Sequence, residues 1–284
     1  MSSLQVSKVL NNNVIIAEHP QHGEVVVIGK GIGFNRKTGQ AIPLAEVEKM
    51  FILTKPEEQE QYKQLLPQVD EKLIEAVNEI LLHADQTSSG ALNEHVHIAL
   101  TDHIAFAIKR MQQGIHIHNP FLYETKEMYP EEFRMAEFAV RLIHQKLGVD
   151  LGEEEAGFIA LHIHGALTNQ HISEVRKHSE LISDLVHIVE TEMDFRAPRD
   201  SLDYSRLITH LRFALERIRR GEAVEETDTL DALMKREYPD TYRLAQKLTE
   251  VMEERLGRPV YPAEAGYLTI HLQRLVHKKQ GRVD

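Results

Sequence analysis

The residues in this sequence best suited to chemistry are histidines that recur at matched places. In a helix through TDHIAFAIKRM, residues 101–111, the 3.6-residue period sets Val96, Leu100, Ile104, Ala107 and Met111 on one apolar stripe, with His103 between them. A single imidazole so placed is most simply a hydrogen-bonded core residue. The arrangement returns in THLRFALERI at 209–218, where His210, Phe213, Ala214 and Arg217 follow His103, Phe106, Ala107 and Arg110 at an offset of 107. EAGFIALH at 155–162 returns as EAGYLTIH at 264–271, so His162 answers to His271 at an offset of 109. The neighbouring His164 has become Gln273, which shows that a histidine here is free to drift. Retention of the other two in both copies points to a role for them.

Three chemistries compete for four such imidazoles. Metal binding would draw on His95-x-His97, His116-x-His118 and His162-x-His164. Residues two apart on a helix point to nearly opposite sides, and the helical HExxH pair is missing, so no metal site is expected. Hydrolysis is disfavoured by the lack of a GxSxG elbow and of any cysteine, and no catalytic residues are assigned. GKGIGF at 29–34 matches neither the GxxxxGK[ST] nor the GxGxxG phosphate loop, and no nucleotide or other cofactor is expected. The third chemistry is reversible phosphate carriage, for which a neutral imidazole is a competent nucleophile. A phosphate would put a charge near −2 on an apolar helix face. Arg110 and Arg217, seven residues after His103 and His210, are placed to partner it; ordinary exposed helix charge is the alternative.

These side chains need a helical frame, and the pattern supplies one twice. Tyr129-Pro130 returns as Tyr238-Pro239 and Leu147-Gly148 as Leu256-Gly257, each at an offset of 109, so the body is a duplicated helical domain. Its copies run over 65–170 and 171–284, as all-α helix bundles with stops at Gly114, Gly148, Gly221 and Gly257. The first 54 residues read differently. SLQVSKVL, NVIIAE, GEVVVIG and KMFIL are β-branched or aliphatic runs separated by turn formers, which predicts a small antiparallel sheet over 1–54. Four short strands bury little area, so a second copy of the same unit is expected to complete it. PEEQEQYKQ opens a charged linker at 55–64.

Composition narrows the setting. The net charge of −11 argues against non-specific nucleic-acid binding by the whole chain, but residues 1–53 carry +1 and the rest −12. That split suggests a small binding module on an acidic body. No cysteine, no apolar run near the roughly 18 residues of a membrane span and no signal-like N-terminus together predict a cytoplasmic protein without membrane insertion.

Taken together, KVLNNNVIIA, GKGIGF, LTDHIAFAIKR, EAGFIALHIH, ITHLRFALERI and EAGYLTIHL resemble the BglG/LicT-type transcriptional antiterminators of sugar phosphotransferase operons, closest to their glucose-operon branch. The likeness spans essentially the whole chain. It implies a co-antiterminator RNA-binding domain followed by two phosphotransferase regulation domains. It further implies a homodimer that binds a leader mRNA hairpin and prevents an overlapping terminator from forming. The sugar-specific permease, through its EIIB domain and here for glucose, would phosphorylate the first regulation domain, and the carrier HPr the second. The phosphorylatable positions would be His103, His162, His210 and His271, with Asp102 as an acidic neighbour that could orient the first ring. RNA contacts would fall to Lys8, Asn13, Gly29, Lys30 and Phe34, residue types suited to base edges, close backbone approach and stacking. A DNA-binding activator using the same regulation domains is the alternative, but it would be expected to begin with a helix-turn-helix rather than strands.

Overall fold

The computed structural model describes residues 3–51, 60, 64–65, 69–93, 95–194, 196–222 and 228–280. The linker expected at 55–64 falls outside these apart from Glu60 and Gln64. The chain divides into two compact units: Met1–Asn119 with Glu131–Ile172, and Pro120–Pro130 with Ser173–Asp284.

The first unit opens with an antiparallel sheet of strands β1 (Ser3–Val9), β2 (Val14–His19), β3 (Gly23–Ile28), β4 (Ala41–Pro43) and β5 (Lys49–Phe51), in the order β4-β1-β2-β3-β5. The sequence pattern found all of these but β4, whose three residues and proline are too short a run to show alternation. In β1, buried Leu4 and Val6 alternate with exposed Ser3 and Gln5, the period of a half-buried strand. Its register shifts between Val6 and Lys8, a bulge that turns Lys8 outward. The central strands β2 and β3 bury both faces. Leu4, Ile15, Val27, Ile32 and Ile42 pack on one side, while Val14, Val26 and Ile28 meet Ile74 and Ile98 on the other.

Those last two residues belong to helices, α1 (Glu71–Thr87) and α2 (Val96–Gln112). The burial that the sequence reading sought from a second copy is thus supplied, on one face, from within the same chain. Asp70 caps α1 by accepting from the Lys72 amide at 2.8 Å. The unit is completed by α4 (Pro130–Leu147) and α5 (Gly152–Thr168).

The second unit contains α6 (Ile172–Glu192), α7 (Leu202–Arg220), α8 (Asp228–Glu237), α9 (Pro239–Leu256) and α10 (Ala263–Gln280). It also takes α3 (Leu122–Met128), a short helix from the first sequence copy, which packs on α7. Tyr204 Oη donates to Glu124 Oε1 at 2.8 Å and Arg212 Nη1 to the Met128 carbonyl at 3.0 Å. The repeated motifs have local reasons. Pro130 and Pro239 begin α4 and α9, where a missing N–H costs nothing. All four glycines expected to stop helices take positive φ, between 61° and 73°.

Candidate functional site

Helices α2 and α5 lie against each other and bring two residues apiece to one cluster. His103 and Arg110 come from α2, Glu155 and His162 from α5. The His103 and His162 rings stand 4.8 Å apart, tilted by 41°. Glu155, only 2 % exposed, reaches both partners on the facing helix: its Oε1 takes a hydrogen bond from Arg110 Nη2, and its Oε2 lies 3.2 Å from His103 Nε2. Arg110 is itself buried, so the exposed-charge alternative does not hold for it. Burial, then the neighbouring His103 and His95, hold the His162 ring down to a pKa of about 3. It is neutral at physiological pH, with a lone pair available.

The second unit repeats the set on α7 and α10. His210 and His271 stack with centroids 3.2 Å apart and planes 18° from parallel. Arg217 grips Glu264 through two bonds, Nε to Oε1 at 2.7 Å and Nη2 to Oε2 at 2.6 Å. Burial lowers His271 to about 4, with His210 and Arg274 adding to it; His210 is lowered by burial and by Arg274, Arg217 and Arg206. The copies also differ in what the glutamate holds. Glu155 contacts a histidine as well as the arginine, whereas Glu264 gives both oxygens to Arg217.

At the N-terminal sheet, Lys8 and Lys30 are exposed and Phe34 is 63 % exposed, so Phe34 is not a core residue. Asn13 is buried at 8 % exposure. Its Oδ1 accepts from the Gly31 amide at 2.8 Å, and its Nδ2 donates to Glu75 Oε1 at 2.7 Å. Asn13, Gly29 and Lys30 line one cavity, while Lys8 and Phe34 stand apart from it. Gly29 has an internal reason to be glycine, because a Cβ there would sit 2.4 Å from the Glu46 carbonyl oxygen.

Comparison with known proteins adds what geometry alone does not name. A CAT RNA-binding domain matches residues 4–60, and a PRD domain matches twice, at 78–166 and 183–275. The "PtsGHI operon antiterminator" of Bacillus subtilis is 50 % identical over 97 % of this chain and 98 % of its own length. The chain belongs to the family of antiterminators with PRD domains. Its relatives include the "GlcA/glcB genes antiterminator" of Staphylococcus carnosus, 36 % identical over 99 % of this chain and 98 % of the relative. LicT of B. subtilis is 35 % identical over 96 % of this chain and 99 % of its own. A crystal structure of GlcT CAT-PRDI aligns with a TM-score of 0.55 and 55 % identity, covering 59 % of this chain and 99 % of that one. The chain is therefore an RNA-binding antiterminator regulated through its PRDs, and the DNA-binding alternative falls with the CAT match at 4–60.

Sequence reading of this antiterminator missed Glu155 and Glu264 as parts of the histidine clusters. It also looked to Asp102 for the acidic neighbour of His103, and the carboxylate that reaches that ring is Glu155. The signal was present: EAG repeats in both copies at the offset of the histidines, and each copy also keeps its arginine. Among the described residues, no group of three or more His, Asp and Glu is arranged to hold a metal ion. No described helix is long and apolar enough to cross a membrane.

Proposed function

We propose that this antiterminator binds a hairpin in leader mRNA of a glucose phosphotransferase operon, as a homodimer, and that His103, His162, His210 and His271 take phosphate that sets its activity. The domains are the RNA-binding module at 1–54, a linker at 55–64 and regulation domains at 65–170 and 171–284. RNA is contacted through Lys8, Asn13, Gly29, Lys30 and Phe34. The permease EIIB domain acts on the first regulation domain and HPr on the second.

The observation that carries this reading is the recurrence of one arrangement, two adjacent histidines beside an Arg–Glu pair whose glutamate is buried, in both units. Rings kept neutral by burial suit attack on a phosphoryl group. Phosphate on His103 Nε2 would repel the Glu155 carboxylate 3.2 Å away, and Arg110 would exchange that carboxylate for the phosphate. A charge added to a ring thereby becomes a change in how α2 and α5 are joined.

The test is mass spectrometry under alkaline conditions after incubation with the general phosphotransferase proteins and a glucose EIIB domain. Phosphate is expected on the four paired histidines. Phosphate mainly on His95 or His116 would overturn the assignment.

A further inference from the structure

We propose that helix α1 is a built-in competitor of RNA, seated on the face of the sheet that carries Asn13. The inference rests on the RNA-contact reading given above and adds to it what occupies that face in its absence. Ile74 of α1 is fully buried among Val14, Val26 and Ile28, so the helix is anchored on the sheet by an apolar contact. On the same helix Glu71, Glu75 and Glu79 follow one another at four-residue intervals, forming a single acidic row with a rise of about 6 Å along the axis from one residue to the next.

This row meets the asparagine turn and the glycine loop. Glu71 accepts from the Asn12 backbone amide at 3.3 Å and from Asn12 Nδ2 at 3.1 Å, and Glu75 accepts from Asn13 Nδ2 at 2.7 Å. Glu75 and Glu79 share a cavity of about 180 Å³ with Gly29, Lys30 and Asn13, and Lys146 closes on Glu79 at 2.7 Å. The row therefore offers an anionic acceptor to the Asn13 amide, a group that RNA would use, and lines the same cavity as Lys30, whose own backbone amide donates to Glu48 Oε1 at 3.3 Å. With Oδ1 on Gly31 and Nδ2 on Glu75, Asn13 has an internal partner at both ends of its amide. Each end of the amide keeps one further site, but at 8 % exposure Asn13 is open to RNA only where α1 has lifted from it. Apparent RNA affinity then equals the intrinsic affinity multiplied by the fraction of chains in which α1 has lifted.

The chain has no cysteine, so a pair introduced at Asn12→Cys and Glu71→Cys is the only site for a thiol cross-linker. The full-length double variant is joined by a short bis-maleimide, and a control portion is capped with N-ethylmaleimide. Both are titrated with a leader hairpin of the B. subtilis ptsGHI operon. The cross-linked chain is expected to bind at least tenfold more weakly than the capped one. Conversely, Glu71→Ala with Glu75→Ala should bind about tenfold more tightly than the parent. Glu18→Ala with Glu24→Ala, which removes the same charge from the sheet itself, should not. Equal affinity of cross-linked and capped chains, or an equal gain from the Glu18/Glu24 variant, overturns the proposal. Failure of the underlying RNA reading is distinct: Asn13→Ala would then leave hairpin affinity unchanged in the Glu71→Ala/Glu75→Ala background.

Discussion

At the scale of single residues, the clusters are defined by what burial does to charge. Arg110 and Glu155 are both nearly inaccessible, whereas Arg217 keeps 34 % of its side chain exposed beside Glu264. Removing one partner of a buried pair leaves an uncompensated charge, typically at a cost of about 3–5 kcal/mol. Arg110→Ala should therefore lower the urea midpoint of the first unfolding transition clearly more than Arg217→Ala lowers that of its own unit. The histidines give a pH prediction. His162 at about 3 and His271 at about 4 lie below the value of 6.5 they would have unfolded, so the unfolded chain binds protons first as the solution is acidified. Their contribution to stability is complete above pH 6.5 and is lost as pH falls from there towards 4 and 3, at up to about 1.4 kcal/mol per unit for each ring. His162→Asn should flatten that part of the stability profile. Phosphate uptake by these two rings should change little between about pH 7.5 and 5.5, where an unperturbed histidine would become mostly protonated.

At the scale of elements, the duplication shows which contacts are exchangeable. His164 Nδ1 lies 2.8 Å from Glu132 Oε1 in the first copy, and in the second the corresponding Gln273 Nε2 donates to Thr241 Oγ1 at 2.6 Å. Both members changed together. His164→Gln or Glu132→Thr alone should destabilise the first unit, and the double substitution should recover part of the loss, with a coupling of about 1 kcal/mol or more in a double-mutant cycle. The sheet gives a contrasting case. A Cβ at Gly29 would stand 2.4 Å from a backbone oxygen of Glu46, which cannot move aside as a side-chain tip would. Gly29→Ala is expected to lower the melting temperature of RNA-free protein, so loss of hairpin binding in that variant would report on the fold of the loop before it reports on RNA.

At the scale of the whole molecule, the proposed switch acts through assembly. Two-fold symmetry places like surfaces together, so phosphates on His103 or His162 near such an axis face their own copies. At an effective dielectric near 20, each pair of unit charges about 4 Å apart costs on the order of 4 kcal/mol, and less with distance and salt. An acidic body at −12 outside residues 1–53 does little to offset this. His103→Asp should thus shift the chain toward monomer in analytical ultracentrifugation and weaken hairpin binding, and His103→Ala should leave antitermination on regardless of sugar. An Asp variant as dimeric as its parent, with equal RNA affinity, would remove this mechanism while leaving the family assignment intact.

What the sequence determined by itself is whatever depends on short-range spacing or on repetition. A β-branched run between turn formers marked β1, glycine marked where α4 and α9 end, and the offsets of 107 and 109 identified two helical copies with their paired histidines. A three-residue strand such as β4 lies below the length at which alternation can register. The tertiary structure decided which distant residues meet. Arg110 and Glu155 are 45 residues apart, and Asn13 and Glu75 are 62 apart. Nothing in a helical or strand period links such positions; packing of α2 on α5, and of α1 on the sheet through Ile74, brings them within hydrogen-bonding range. The same holds for α3, encoded in the first copy and docked on α7 of the second unit through Glu124 and Tyr204. Helix and strand periods set which side chains share a face, and only burial of one face against another sets which partner each will find.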